Sequence, residues 1–124
     1  MTSDKQRVAV VGASSNPERY SNKAVRLLVE HGHDVVPINP TAESIEGISV
    51  VPSVQNLSGH VDTVTLYVSA KISSQLEEAL LSLQPGRVIF NPGAENPTLR
   101  ASLDANGIGT EEACTLVLLT TGQF

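Results

Sequence analysis

The stretch VAVVGASSNPERYSNKAVRLL, residues 8–28, carries the chain's clearest chemistry. Val8 to Val11 reads as a buried strand, Gly12 ends it, and a helical pattern opens about eight residues later. A glycine directly after a first strand lets the chain turn tightly and lets an anion approach the backbone. Ser14 and Ser15 add hydroxyl donors, and the following helix turns its positive end toward the same place. These types in this order point to a phosphate-bearing ligand. The bland alternative is a plain strand-to-helix turn.

The standard dinucleotide fingerprint, G-x-G-x-x-G, is incomplete here, because Ala13, Ser14, Ser15, Asn16 and Pro17 follow the single glycine. The second strand ends in Asn39-Pro40, where an NAD site wants an acid for the ribose. No G-x-x-x-x-G-K-[ST] occurs either. Arg19, Lys23 and Arg26 cluster where the first helix starts, against the helix dipole, so they are either solvated surface charge or partners of an anion. Arg19 is the best candidate, since it lies in the loop itself.

His31, His33 and His60 lack metal-ligand spacing and stand beside glycines in turns, which makes them structural or exposed. Cys114, among apolar neighbours, reads as a buried inert thiol. Glu111 and Glu112 are adjacent and should diverge, and Asp62 reads as a turn or cap residue. There is no Ser-His-Asp order and no nucleophile elbow. Neither catalytic residues nor metal ligands are assigned, and a binding role is favoured over an enzymatic one.

The elements that must position these residues alternate to the end. Val8–Val11, Asp34–Ile38, Val61–Val68 and Arg87–Phe90 read as strands, with a short fifth at Ile108–Thr110. Ile48–Val51 reads as a short extended piece and Ser53–Leu57 as one helical turn. Helices are expected from about Ser21 to His31, along Leu76, Ala79, Leu80 and Leu83, and along Leu99 and Leu103. Ser74 and Glu77 fit a capping box, and Asn96-Pro97 places a cap before a proline at the first helical position. Ala113–Leu119 is either a strand or a closing helix, and its apolar end, Leu116–Leu119, would pack on the core or form a homodimer surface. The expected fold is α/β: a doubly wound, mainly parallel sheet of about five strands with helices on both faces. Residues 1–124 form a single domain in this reading, with 1–6 a polar tail. Ligands in such folds sit outside the carboxyl ends of the strands.

Composition agrees with a soluble globular chain: 124 residues, 40% hydrophobic and 17% charged. A net charge of -5 and an aromatic content of 3% disfavour nucleic-acid binding. A single cysteine excludes an internal disulfide. With no long apolar run and no signal-peptide core, a cytoplasmic location away from membranes is expected.

Taken in order, VAVVGASSNPERYSNKAVRLL, VVPINP, VTLYVSA, IFNPGAENP and EEACTLVLL resemble the small stand-alone CoA-binding domain family. That family is similar to the Rossmann-like CoA-binding domain of the succinyl-CoA synthetase α subunit. The resemblance spans roughly residues 6–119 and implies coenzyme A or an acyl-CoA held along the strand ends. It implies that the phosphates meet Gly12, Ala13, Ser14, Ser15 and the following Asn16 to Ser21, including Arg19 and Tyr20. Asn39 and Pro40 would lie near the adenosine, where Asn39 can hydrogen-bond an adenine edge or the ribose. Val68, Ser69 and Ala70 would line the nucleotide, and the Asn91–Asn96 loop, with Pro92 and Gly93, would face the same groove. Two departures stand out. Thr41 occupies a position where relatives often carry lysine, and Asn91 stands where they often carry the longer glutamine. The synthetase's second domain, with its phosphorylated histidine, has no counterpart here, so ligase activity is not implied. The competing readings are a nicotinamide- or nucleotide-dependent enzyme and a regulatory domain that has lost its ligand.

Overall fold

The structure, a computed structural model, describes residues 5–124. β-Branched runs form the centre. Arg7–Val11 (β1) pairs in parallel with Asp34–Ile38 (β2) on one side and Thr63–Leu66 (β5) on the other. Arg87–Phe90 (β6) and Gly109–Glu112 (β7) continue the parallel sheet, giving the order β2-β1-β5-β6-β7. Between β2 and β5 lie a two-stranded hairpin, Ser44–Ile45 (β3) and Ile48–Ser49 (β4), and a 3-10 turn at Val54–Asn56. Pro37, which has no backbone donor, falls in β2 at the sheet's edge, where that loss is tolerated.

Alternation along the strands fills two separate cores, so the sheet is doubly wound. Ala9, Val11, Val64, Leu66, Val88 and Phe90 point to one face, covered by Leu80 of Glu77–Leu83 (α3) and by Leu99 and Leu103 of Pro97–Ala105 (α4). Val8 and Val10 point to the other, under Val25 and Leu28 of Tyr20–Glu30 (α1) and Leu119 of Thr115–Thr120 (α5). β5 is apolar on the first face and carries Thr63 and Thr65 on the second, both fully buried and hydrogen-bonded. The open choice for the last segment is settled as a helix that packs on the core through Leu119, while Val117 is left exposed.

Three expectations are corrected. The capping box does not form. The segment splits into Ala70–Ser74 (α2) and α3, with Ser74 at the end of the first. Ser74 Oγ accepts a hydrogen bond from Asn96 Nδ2, and Glu77 accepts one from Ser102 Oγ. Tertiary partners thus take both groups that the local motif would have paired. The third strand of the sheet is shorter than Val61–Val68, because Asp62 turns back to accept the Arg7 backbone N–H at 2.8 Å. The last strand starts at Gly109 rather than Ile108, whose amide closes α4 by donating to the Leu103 carbonyl.

Of the expected tail, residues 1–4 lie outside the described residues, whereas Gln6 is tied in: its amide donates to His33 Nδ1, and its side chain accepts from Thr63. At the same end of the sheet the Phe124 ring packs on His33, with centroids 5.1 Å apart, and under the Arg87 guanidinium at 4.5 Å. Glu111 and Glu112 diverge, to Arg87 and Arg100 respectively. Among the described residues no helix is long and apolar enough to cross a membrane.

Asp62 gives a pH prediction. The Arg7 backbone N–H holds its carboxyl below the usual value, against the opposing effect of burial, and His60 adds a smaller lowering. A carboxylate with a lowered folded pKa stabilises the fold fully above its unfolded pKa, and that contribution fades as pH falls through the folded value. Asp62→Asn should therefore show a flatter loss of stability than the parent between about pH 5 and pH 3 in urea titrations. Parallel acid limbs would refute the assignment.

Candidate functional site

The order of the main sheet reverses direction between β1 and β5, and the loops after these two strands face the crevice where open α/β sheets bind ligands. Gly12 sits at that switch with φ +84°. A Cβ there would lie 2.8 Å from Val68 Cγ1 and 2.9 Å from the Tyr67 carbonyl oxygen. Gly12 is thus required by the close approach of the two loops as well as by its backbone angle.

The backbone donors of the first loop divide into two groups. The amides of Gly12 and Ala13 both donate to the Ile38 carbonyl, so they fix the loop against the end of β2. Among the described residues, the amides of Ser14 and Ser15 donate to no protein acceptor. The first three amides of α1, at Tyr20, Ser21 and Asn22, are the open donors any helix start presents, and Arg19 at the cap provides no side-chain hydrogen bond. The Ser14 hydroxyl accepts from the Asn16 amide, leaving its proton free to donate outward. Arg19 is exposed, and its guanidinium meets no protein acceptor among the described residues. Lys23 lies over the exposed Tyr20 ring at 5.3 Å, and Arg26 is held by Asn22 and the Pro17 carbonyl. Of the three cations, Arg19 is the one available to an anion.

Asparagines join the rim loops to one another. Asn39 donates to the Ala13 carbonyl at 2.9 Å, and its oxygen accepts from the Thr41 amide and hydroxyl and the Ala42 amide. Both ends of the amide expected to meet adenosine therefore build the turn, and Thr41 caps it. Pro40 is exposed beside it. Asn91 is 2% exposed; it donates to Thr65 Oγ1 and the Leu66 carbonyl and accepts the Thr115 amide, locking β6, β5 and α5 together. Its side chain is enclosed by these partners, while Pro92 and Gly93 stay exposed. Asn96 caps α4 by accepting the Leu99 amide, and its Nδ2 reaches Ala70, Ser73 and Ser74 in α2. Val68 is half-buried, and exposed Ser69 precedes α2, its carbonyl accepting the amides of Ile72 and Ser73. The structure brings Gly12, Ala13 and Ser14 together with Asn39, Tyr67 and Val68. Asn91 to Asn96 with Ala70 form a second knot on the far side of β5.

Sequence reasoning missed three groups. Asn22 is fully buried at the third position of α1 and bridges the Ser14 carbonyl and Glu46. Glu46 itself stands at the tip of the β3–β4 hairpin. The Tyr67 hydroxyl is buried and has no hydrogen-bond partner among the described residues. Burial pushes its pKa up to about 12, with Thr115 and Thr65 opposing and Cys114 reinforcing, so it stays a neutral donor. A polar residue inside a helix's first turn was the available signal for Asn22; nothing local marks the other two. Cys114, expected to be buried, is half-buried at the start of α5.

Known proteins match this frame. The chain is 32% identical over 62 residues to the uncharacterized protein YneT of Bacillus subtilis, covering half of this chain and 46% of the relative. It is also 32% identical over 69 residues to the alpha subunit of an ADP-forming acetate–CoA ligase II of Pyrococcus furiosus, covering 55% of this chain and 15% of the relative. The chain thus spans less than half the length of these curated relatives. A crystal structure of an uncharacterized protein superposes with a TM-score of 0.92 at 36% identity, covering 98% of this chain and all of that one. The family model described as CoA binding domain matches residues 6–120, and with the parallel sheet and its switch-point loop in place, the chain belongs to that family.

Proposed function

We propose that this domain binds coenzyme A or an acyl-CoA at the crevice between β1 and β5 and does so without catalysing a reaction. One observation carries this reading: in the single loop that follows β1 at the switch in strand order, the amides of Ser14 and Ser15, the first amides of α1 and the Arg19 guanidinium have no protein acceptor among the described residues. Backbone donors and a helix end hold phosphates without bulk positive charge, which suits a chain of net charge -5. Ser14, Ser15 and Arg19 would contact the diphosphate. Pro40, Val68 and Ser69 would flank the nucleoside, and Pro92 and Gly93 the pantetheine. Gly12, Ala13, Asn39 and Asn91 would hold the loops that do so.

Titration calorimetry with CoA, against NAD and ATP, tests this. CoA should bind and the controls should not; no heat at high micromolar CoA would sink it. Binding confined to the folded state should also raise the unfolding temperature, on the order of 10 °C at a hundredfold excess over Kd. Arg19→Glu should weaken CoA roughly tenfold without lowering the ligand-free melting temperature, because the guanidinium meets no protein acceptor among the described residues and an acid at the start of α1 suits the helix dipole. Retained affinity in this variant would move the phosphates elsewhere. A melting curve that none of CoA, acyl-CoA, NAD or ATP shifts would favour a domain that has lost its ligand.

A further inference from the structure

We infer that Glu46 is a built-in anionic competitor at the first rim loop, setting how tightly a phosphate-bearing ligand is held there; this rests on the CoA phosphates lying at that loop. Glu46 and Gly47 form the two-residue turn between Ile45 and Ile48, with φ of +52° and +75°. Turns with two positive φ values favour Asn, Asp and Gly. Glutamate is poorly suited to the first position, because its longer side chain gives no local compensation in the left-handed region. Its compensation is distant: the carboxylate accepts a hydrogen bond from Asn22 Nδ2 at 3.1 Å. The same Nδ2 donates to the Ser14 carbonyl at 2.8 Å. A negative charge therefore stands on the first turn of α1, one shared amide away from the loop whose Ser14 and Ser15 amides have no protein acceptor among the described residues.

The positive end of a helix attracts a carboxylate for the same reason that it attracts a phosphate. Glu46 thus takes up part of the attraction that a ligand would use, and it repels the ligand's own charge. The nearest cation on this bridge is Arg26, whose Nε donates to Asn22 Oδ1 at 2.8 Å, so the carboxylate is offset in part and not cancelled. In the reverse direction, phosphate entry weakens the hold of Asn22 on the hairpin tip, and ligand binding loosens the β3–β4 turn.

Glu46→Gln tests this, because its amide oxygen can still accept from Asn22 while the charge is gone. Calorimetry with CoA should show a gain in affinity of roughly three- to tenfold at low ionic strength, shrinking as salt is raised. Glu46→Gly, which suits the turn and also removes the charge, should show the same gain. Glu43→Gln, an exposed acid three residues away, should show much less. If the parent binds CoA and the Glu46 variants bind it equally or more weakly, or Glu43→Gln gains as much, the inference falls and the CoA site stands. If the variants bind CoA and the parent does not, Glu46 is a competitor and the native chain is not a CoA binder. If none of them binds CoA, both fall.

Discussion

Gly12→Val should lose about 2–6 kcal/mol of folding stability. Two costs act together. A β-branched residue at φ +84° leaves every comfortable backbone region, which costs about 1–3 kcal/mol. Its Cβ would also fall 2.9 Å from the Tyr67 carbonyl oxygen, a backbone atom held by the core strand behind it. Tyr67 cannot retreat freely, because its own amide donates to the Val11 carbonyl at 2.9 Å. Relieving that overlap means parting β1 from β5 at the switch point, a further 1–3 kcal/mol or so. Urea denaturation followed by circular dichroism measures the sum. Gly12→Ala, which shares the Cβ and lacks the branch, should already carry more than half of the loss. A loss of under about 1 kcal/mol for valine would show that the two loops slide past each other more easily than the contact implies. The same result explains why Gly12→Val is a poor probe of ligand contact, and why Arg19 is the better one.

Asn91→Leu, similar in size, should cost a comparable amount, about 3–5 kcal/mol. Leucine fills the space and removes a donor shared between Thr65 Oγ1 and the Leu66 carbonyl and an acceptor for the Thr115 amide. The partners stay buried: Thr65 and Thr115 are fully enclosed, so water cannot take the place of the lost bonds without opening the site. Each unsatisfied buried group costs about 1–3 kcal/mol, and the Thr65–Thr115 hydroxyl pair loses its anchor. The hydrogen-exchange rate of the Thr115 amide gives a local readout, and it should rise with the loss of its acceptor. An unchanged Thr115 amide together with parent-like stability would mean that α5 is held by Leu119 alone.

The fold was legible because its signals are local. Val8–Val11 and Val88–Phe90 are apolar runs of a length only a covered strand needs, and Gly32, Pro85-Gly86 and Gly107 stop the helices. The family was legible in the order of four rim motifs. The rim's internal wiring was less so, for one physical reason: an asparagine's partners lie far away in sequence. Asn39 and Asn91 have the chemistry of ligand contacts, and sequence alone cannot say that Ala13 stands 26 positions away to use one of them, or Leu66 25 positions away to use the other. Ser74 and Glu77 failed in the same way, drawn off by Asn96 and Ser102. The Asn16–Ser21 loop and Arg19 were the reverse case. Few long-range partners compete for them, and Asn16 to Tyr20 are exposed, whereas Ser21 is buried in the first turn of α1.

The packing of Phe124 against His33 and Arg87 fixes where the chain leaves its sheet. His33 precedes β2 and also receives the Gln6 amide just ahead of β1, so both described ends emerge beside the amino ends of the strands. The rim loops stand at the other end, about four or five residues of strand away, on the order of 15 Å. An affinity handle, a fluorophore or an immobilising linker joined at Phe124 would then project from the rear. On a sensor chip or bead, every copy would be moored with its crevice turned toward the liquid, and a bulky fusion would leave ligand entry unhindered.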